Sequence, residues 1–137
     1  MSQTPDHAPS HRRPDAQSMA ATYLQVDLVR ELEQLHREPE WTHGQNAKTL
    51  VKHDMLRIVL TALQAGARIP EHQTEGRISI QTLRGHVLVR ADGRTFDLPV
   101  GSLLALDHNV RHDVEALEES AFLLTIAWPI KPDERAA

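Results

Sequence analysis

The stretches GARIPEHQTEGRISIQTLRG, residues 66–85, and GSLLALDHNVRHDVEA, residues 101–116, decide the fold of this chain. In both, apolar residues alternate with polar ones, and glycines mark the turns. Side chains at positions i and i+2 of a strand face the same side, so this alternation predicts half-buried strands rather than helices. The two stretches therefore predict short β-strands joined by tight turns.

The same alternation runs through most of the chain from residue 55 to residue 128. Asp92-Gly93, between two alternating runs, predicts a two-residue hairpin because Gly tolerates the positive φ that such a turn needs. The predicted strands cover residues 55–63, 77–83, 86–90, 95–98, 102–106, 112–116 and 121–128. Seven or eight short strands without intervening helices predict an antiparallel sandwich or barrel.

One helix is predicted ahead of the strands, over residues 27–38. Leu28, Leu32 and Leu35 recur at i, i+4 and i+7 and form one apolar stripe. Asp27 can cap the first turn, and Pro39 ends the helix because it pushes the residue before it out of the helical region. We expect the stripe to dock on the outside of a sheet, either in its own subunit or in a second one.

Composition narrows the class of protein. With 137 residues the chain is long enough for one domain with its own core, and the lack of cysteine excludes disulfides and thiolate sites. The net charge of -4, with both signs mixed, argues against nucleic acid as a partner. No segment indicates a membrane partner, and a cytoplasmic location is expected.

Four parts are predicted along the chain. Residues 1–20, rich in Pro, Ser, Asp and Arg, are expected to form a flexible tail because they cannot bury enough apolar surface. Residues 21–48 hold the helix and a connecting turn. Residues 49–129 form the barrel, and residues 130–137 form a polar C-terminal tail.

The first quoted stretch resembles the first half of the metal motif of the cupin family. That half reads Gly, five residues, His, one residue, His, three or four residues, Glu, six residues, Gly. Gly66, His72 and Gly85 keep this spacing. Thr74 stands where the second His belongs, and Ile78 stands where Glu belongs.

The second quoted stretch is similar to the second half of the motif, which reads Gly, five residues, Pro-x-Gly, two residues, His, three residues, Asn. Gly101 and His112 match it. Asp107, Asn109 and Ala116 replace Pro, Gly and Asn. Asn109 is an acceptable substitute because Asn tolerates the left-handed conformation.

This resemblance implies an all-β fold: a small, single-domain, RmlC-like jelly-roll barrel of the cupin type with one N-terminal helix. It also implies that His72 and His112 are metal ligands, for a divalent ion such as Fe, Mn, Ni, Cu or Zn. Thr74 and Ile78 cannot replace the missing ligands. A third ligand would have to come from one of four nearby residues: Gln73, Glu75, His86 or His108.

Strand parity predicts the rest of the barrel lining. The residues expected to share the interior with His72 are Thr74, Ile78, Ile80, Phe122, Leu124 and Ile126. Such a lining suits a small apolar or aromatic ligand. Four arginines on the predicted strands would bind a carboxylate if any two converged: Arg57, Arg77, Arg84 and Arg90.

Three functions remain open from the sequence, and it does not decide whether the protein is an enzyme. The first is a non-catalytic or weakly catalytic cupin that binds a small molecule. The second is a metal-dependent dioxygenase or isomerase that uses His72 and His112. The third is a degenerate cupin that serves as a dimeric scaffold, and a homodimer is expected in each case.

Overall fold

The computed structural model describes residues 22–129, and the tails expected at residues 1–20 and 130–137 lie outside them. Helix α1 (Leu28–Arg37) is followed by a 3₁₀ helix (Pro39–His43). The strands are β1 (Gln45–Lys52), β2 (Leu56–Leu63), β3 (Arg68–His72), β4 (Arg77–Arg84), β5 (His86–Ala91), β6 (Arg94–Pro99), β7 (Leu103–Leu106), β8 (His112–Ala116) and β9 (Ser120–Ala127). No helix within residues 22–129 is long and apolar enough to cross a membrane.

The strands form two antiparallel sheets. Sheet A has the order β1-β2-β9-β4-β7, and sheet B has the order β3-β8-β5-β6. Their inner faces share one hydrophobic core, in which Ile80 of sheet A and Val87, Val89 and Val114 of sheet B are almost fully buried. The predicted all-β jelly-roll architecture with one N-terminal helix is confirmed.

Helix α1 covers the outer face of sheet A in the same chain. The Asp27 carboxylate accepts hydrogen bonds from two backbone N–H groups of the first turn, and Glu38 after the last turn is extended. Leu32 and Leu35 pack in one cluster with Leu60 of β2. The helix stripe and the apolar face of β2 thus cover each other, and the docking surface predicted for the stripe lies in its own subunit.

Two strands were missed by the sequence prediction. The segment predicted as a connecting turn contains the first residues of β1, which begins at Gln45. Strand β3 contains Pro70, and its only half-buried apolar position is Ile69. Both strands lie at the edge of a sheet, where one neighbour is missing, so the alternation that marks inner strands is weak there.

The predicted turns form as expected. Asp92 and Gly93 have φ values of 53° and 70° and join β5 to β6 as a two-residue hairpin. Asn109 has a φ of 61°, so the residue that replaces the family's glycine does adopt the left-handed conformation. Gly85 lies so close to the backbone oxygen of Glu119 that an added Cβ would clash with it.

Candidate functional site

His72 and His112 meet at one end of the barrel. They are directly opposite each other on the antiparallel strands β3 and β8. Their ring centroids are 4.2 Å apart and the ring planes are inclined by 57°. His112 is buried, with 3% of its surface exposed, and lies on the same face of β8 as the core residue Val114. His72 is exposed, so the pair spans the boundary between barrel interior and solvent.

The hydrogen bonds of the two rings define which nitrogen carries the proton. Nδ1 of His72 lies 2.9 Å from the carbonyl oxygen of Pro70, and Nδ1 of His112 lies 3.1 Å from that of Val110. A carbonyl oxygen only accepts, so each Nδ1 must donate a proton. In the neutral rings, Nε2 then holds a free lone pair, and the site contains two imidazole acceptors.

The surroundings of His112 favour its neutral form. Burial lowers the pKa of His112 below its ordinary value, because a charged ring would lose water. The hydrogen bond to the Val110 carbonyl works in the opposite direction, and the neighbouring His72 adds to the lowering. The inner imidazole is therefore a neutral acceptor around pH 7.

The apolar side chains expected to line the barrel lie in or against its core. Ile78, Ile80 and Phe122 belong to the buried core, and Leu124 and Ile126 are half-buried against it. The sequence therefore identified most of the inward side chains of β4 and β9.

Thr74 is placed differently from the expectation, in the loop between β3 and β4 rather than on a strand. Its hydroxyl accepts a weak 3.4 Å hydrogen bond from the backbone N–H of Gly76. Its carbonyl accepts from the backbone N–H of Asn109 at 2.8 Å, which joins this loop to the one before β8. Thr74 thus lies at the barrel end beside the histidines but does not belong to the apolar core cluster.

A row of four paired residues crosses the inner face of sheet A at the same end. Arg57 pairs with Ile126, Ile126 with Ile78, and Ile78 with Leu106. Leu106 and Ile78 border the two loops that Asn109 and Thr74 join. We call this end, bounded by the histidine pair, the row from Arg57 to Leu106 and the two loops, the barrel mouth.

The residues at the barrel mouth do not fit a metal centre of the cupin type. Within residues 22–129 no group of three or more His, Cys, Asp or Glu side chains is placed to hold one ion. Catalytic metal sites usually need three protein ligands, and the histidine pair offers two neutral nitrogens without a negative charge.

None of the four residues considered for a third ligand joins the pair. Gln73 and Glu75 are exposed. His86 binds Asp97 through Nε2 at 2.5 Å, and His108 binds Asp107 at 3.0 Å. The rings of His86 and His108 are therefore hydrogen-bonded to aspartates and not to His72 or His112.

Two of the four arginines considered as carboxylate ligands already bind acidic residues of this chain. Arg77 binds Asp107 at 2.9 Å. Arg90 lies between Asp113 and Glu115 at 3.1 and 2.7 Å, and these two hydrogen bonds raise the pKa of its guanidinium. Both arginines are thus neutralised by carboxylates of this chain.

Arg57 is a polar residue of the mouth that the sequence named only as one of four arginines able to bind a carboxylate if two of them converged. Its guanidinium carbon lies 5.5 Å from the ring centroid of Trp128. Its position on β2, opposite in parity to Ile58 and Leu60, gave no signal of an inward direction, because the more apolar face of β2 is the outer one, covered by helix α1.

An open groove of about 690 Å³ lies beside the mouth, where the outer face of sheet B meets the β5–β6 turn. It is lined by charged residues of both signs, among them Arg90, Arg111, Glu71 and Asp113. Arg90 binds Asp113, and Arg111 lies 3.3 Å from Glu71. Because these charges neutralise each other, the groove favours neither an anionic nor a cationic ligand.

Solved cupin structures share this architecture. An RmlC-like cupin from Desulfovibrio desulfuricans is 27% identical, with a TM-score of 0.59 over 65% of this chain and 87% of its own. KdgF from Halomonas sp. is 25% identical, with a TM-score of 0.58 over 66% of this chain and 84% of its own. The chain therefore has the fold of the cupin superfamily.

One solved structure with lower sequence identity is that of an enzyme. Salicylate 1,2-dioxygenase from Pseudoaminobacter salicylatoxidans is 18% identical, with a TM-score of 0.64 over 73% of this chain. The alignment spans only 32% of the dioxygenase, so the likeness shows the shared fold. No protein-family model and no curated protein sequence matches the chain.

Proposed function

We propose that the protein is a cupin that binds a small apolar or aromatic molecule at the barrel mouth without a metal ion. The observation that carries this proposal is the pair of imidazoles with both Nδ1 atoms tied to backbone carbonyls. The two Nε2 atoms are left as acceptors beside an apolar interior. A few polar groups that fix orientation in a largely apolar pocket are typical of small-molecule sites.

The chemistry of the pair defines what the ligand should offer. A neutral Nε2 accepts a hydrogen bond from a hydroxyl or N–H donor. A purely hydrocarbon ligand would displace water from Nε2 without replacing the lost hydrogen bond. The half-buried side chains of Leu106, Leu124 and Ile126 would contact the apolar body. An aromatic molecule with one hydroxyl or N–H group satisfies both requirements.

Phenol and indole are suitable probes because each joins an aromatic ring to one donor. Thermal unfolding should show a saturable stabilisation of the wild-type protein, about 2.7 kcal/mol at a hundredfold excess over Kd. The double variant His72→Ala/His112→Ala should lose most of this response, and the exposed His108→Ala should keep it. An equal response in the double variant, or none in the wild type with either probe, would refute the proposed function.

The alternative function, a metal-dependent dioxygenase or isomerase, draws support only from the spacing of His72 and His112. The described residues supply neither the third ligand nor a negative charge at the pair. Binding without a metal is therefore the better-supported proposal.

We also propose that two chains form a homodimer. The leucine stripe of α1 no longer supports this, because sheet A of the same chain covers it. Apolar surface remains at Val100 and Leu103, which are 59% and 57% exposed, and Leu103 lies on β7 at the edge of sheet A. Sedimentation should give the mass of two chains, and a monomer at high concentration would contradict the proposal.

A further inference from the structure

Arg57 lies on the inner face of sheet A. Its partner across the strands is Ile126, which packs against the barrel core together with the next residue of the row, Ile78. Paired residues on antiparallel strands share a face of the sheet, so the Arg57 side chain starts from the inner face at the barrel mouth. A guanidinium, which keeps its positive charge, is thus placed beside an apolar interior.

No carboxylate of the described chain neutralises Arg57. Within residues 22–129 its side chain makes no ion pair, and its buried Nε lacks a hydrogen-bond partner. One other buried side-chain nitrogen in this range lacks a partner, Nε2 of His36, which lies against Trp41 beneath the helix. Arg77 and Arg90, by contrast, each bind a carboxylate, so of these three arginines only Arg57 lacks one.

The guanidinium of Arg57 lies over the ring of Trp128. The 5.5 Å distance from the guanidinium carbon to the ring centroid is typical of a cation–π contact. Such a contact attracts the positive charge but supplies no oxygen acceptor for its N–H groups. The Trp128 ring in turn packs over Gly76 in the β3–β4 loop, where an added Cβ would meet it at 3.3 Å.

A guanidinium without a carboxylate partner is complementary to a planar anion. Two parallel N–H groups match the two oxygens of a carboxylate, and burial strengthens the pairing because less water competes. The inner imidazole, His112, favours its neutral form and adds no competing positive charge. We propose that Arg57 binds the carboxylate of the small molecule at the barrel mouth, so that the natural ligand is a small aromatic or apolar acid.

This inference rests on the proposed function, and it specifies that the ligand is negatively charged. The carboxylate would sit at sheet A, on Arg57 and under Trp128. A hydroxyl or N–H group on the same molecule could reach the histidine pair of sheet B. The two sheets would then each contribute one polar contact around an apolar body.

Benzoate and benzyl alcohol form a matched pair of probes, since they share the ring and differ in the carboxylate. Titration followed by NMR should show that wild-type protein binds benzoate at least about tenfold more tightly than benzyl alcohol, the difference expected for a hydrogen bond to a charged group. Arg57→Gln should remove that preference, so that benzoate and benzyl alcohol bind with similar affinity. The exposed Arg84→Gln is the matched control and should behave as wild type.

Two results would overturn the inference. If wild-type protein binds both probes equally, or if folded Arg57→Gln keeps its preference for benzoate, the carboxylate contact is wrong while the proposed function survives. If neither probe binds, the proposed function fails as well. Should Arg57→Gln not fold, Arg57→Lys keeps the charge without the paired donors and should lose part of the preference, and the wild-type ratio still decides.

Discussion

Asn46 of β1 donates a side-chain N–H to the backbone oxygen of Leu35 in the last turn of α1, at 3.0 Å. It donates a second hydrogen bond to the Glu38 carboxylate at 2.9 Å. Asn46 is 6% exposed, so both bonds are formed largely out of water. One polar side chain therefore fixes the end of the helix against the edge of sheet A.

Replacing this side chain should loosen the helix. Asn46→Ala leaves the Leu35 carbonyl without its side-chain donor in a buried position, which should lower the free energy of unfolding by about 1–3 kcal/mol. The neighbouring exposed change Gln45→Ala should have an effect within about 0.5 kcal/mol. Urea unfolding measures both, and equal midpoints for the two variants would contradict the role of Asn46.

The two glycines at positive φ next to β5 should respond differently to alanine. Gly93 has a φ of 70° and open space around its Cα, so Gly93→Ala should cost only the left-handed conformation, about 1–2 kcal/mol. Gly85 has a φ of 74°, and its Cβ would also clash with the backbone oxygen of Glu119. Gly85→Ala should therefore be the more damaging change by a clear margin in thermal unfolding, and a similar loss for both would exclude the clash.

The lowered pKa of His112 predicts how stability changes with pH. The unfolded chain takes up a proton at this histidine near its ordinary pKa of about 6.5, whereas the folded chain does so only at lower pH. As pH falls through this window, the free energy of unfolding should fall, by at most about 1.4 kcal/mol per pH unit for one proton. Above the ordinary histidine pKa, the contribution of His112 to the free energy of unfolding is fully present.

The measurement compares unfolding curves between pH 7.5 and pH 5, values chosen to bracket the ordinary histidine pKa of about 6.5. His112→Gln should show a shallower loss of stability than wild type because it removes the titrating group. His108→Ala, changed at an exposed histidine, should keep the wild-type slope. A wild-type slope in His112→Gln would mean that other groups cause the pH dependence.

Metal content should be low. Protein without a tag, purified without chelator, should carry well under one equivalent of Fe, Mn, Ni, Cu or Zn, because the histidine pair supplies fewer than the three ligands of a usual catalytic site. Elemental analysis provides the test. Near-stoichiometric metal that disappears in His72→Ala/His112→Ala would establish the metal-dependent alternative.

The sequence was most informative where spacing is fixed by the backbone. The interval from Gly66 to His72, and that from Gly101 to His112, picked out the two histidines, which the structure places opposite each other on β3 and β8. The alternation of Ile78 and Ile80 likewise revealed their inward direction, because period two is imposed by the strand itself.

Other features depend on contacts across the fold. Arg57 is one polar residue on a mixed face of β2, and only the pairing of β2 with β9 shows that this face is the inner one. The tie between Nδ1 of His112 and the Val110 carbonyl depends on ring rotation, which no pattern of residues reports. Strand β1 was missed partly because Asn46, a buried residue near its start, is polar. Its side chain bonds to a helix that precedes the strand in the sequence.

The contact between Trp128 and Arg57 also gives the protein an optical probe of its own mouth. The chain has two tryptophans, and the other, Trp41, lies beneath the helix, away from the barrel end. In a Trp41→Phe background, all tryptophan fluorescence would come from Trp128, whose ring lies beside the Arg57 guanidinium. A molecule that binds between the sheets there would change the emission maximum or the quantum yield of Trp128, so binding could be followed without a label.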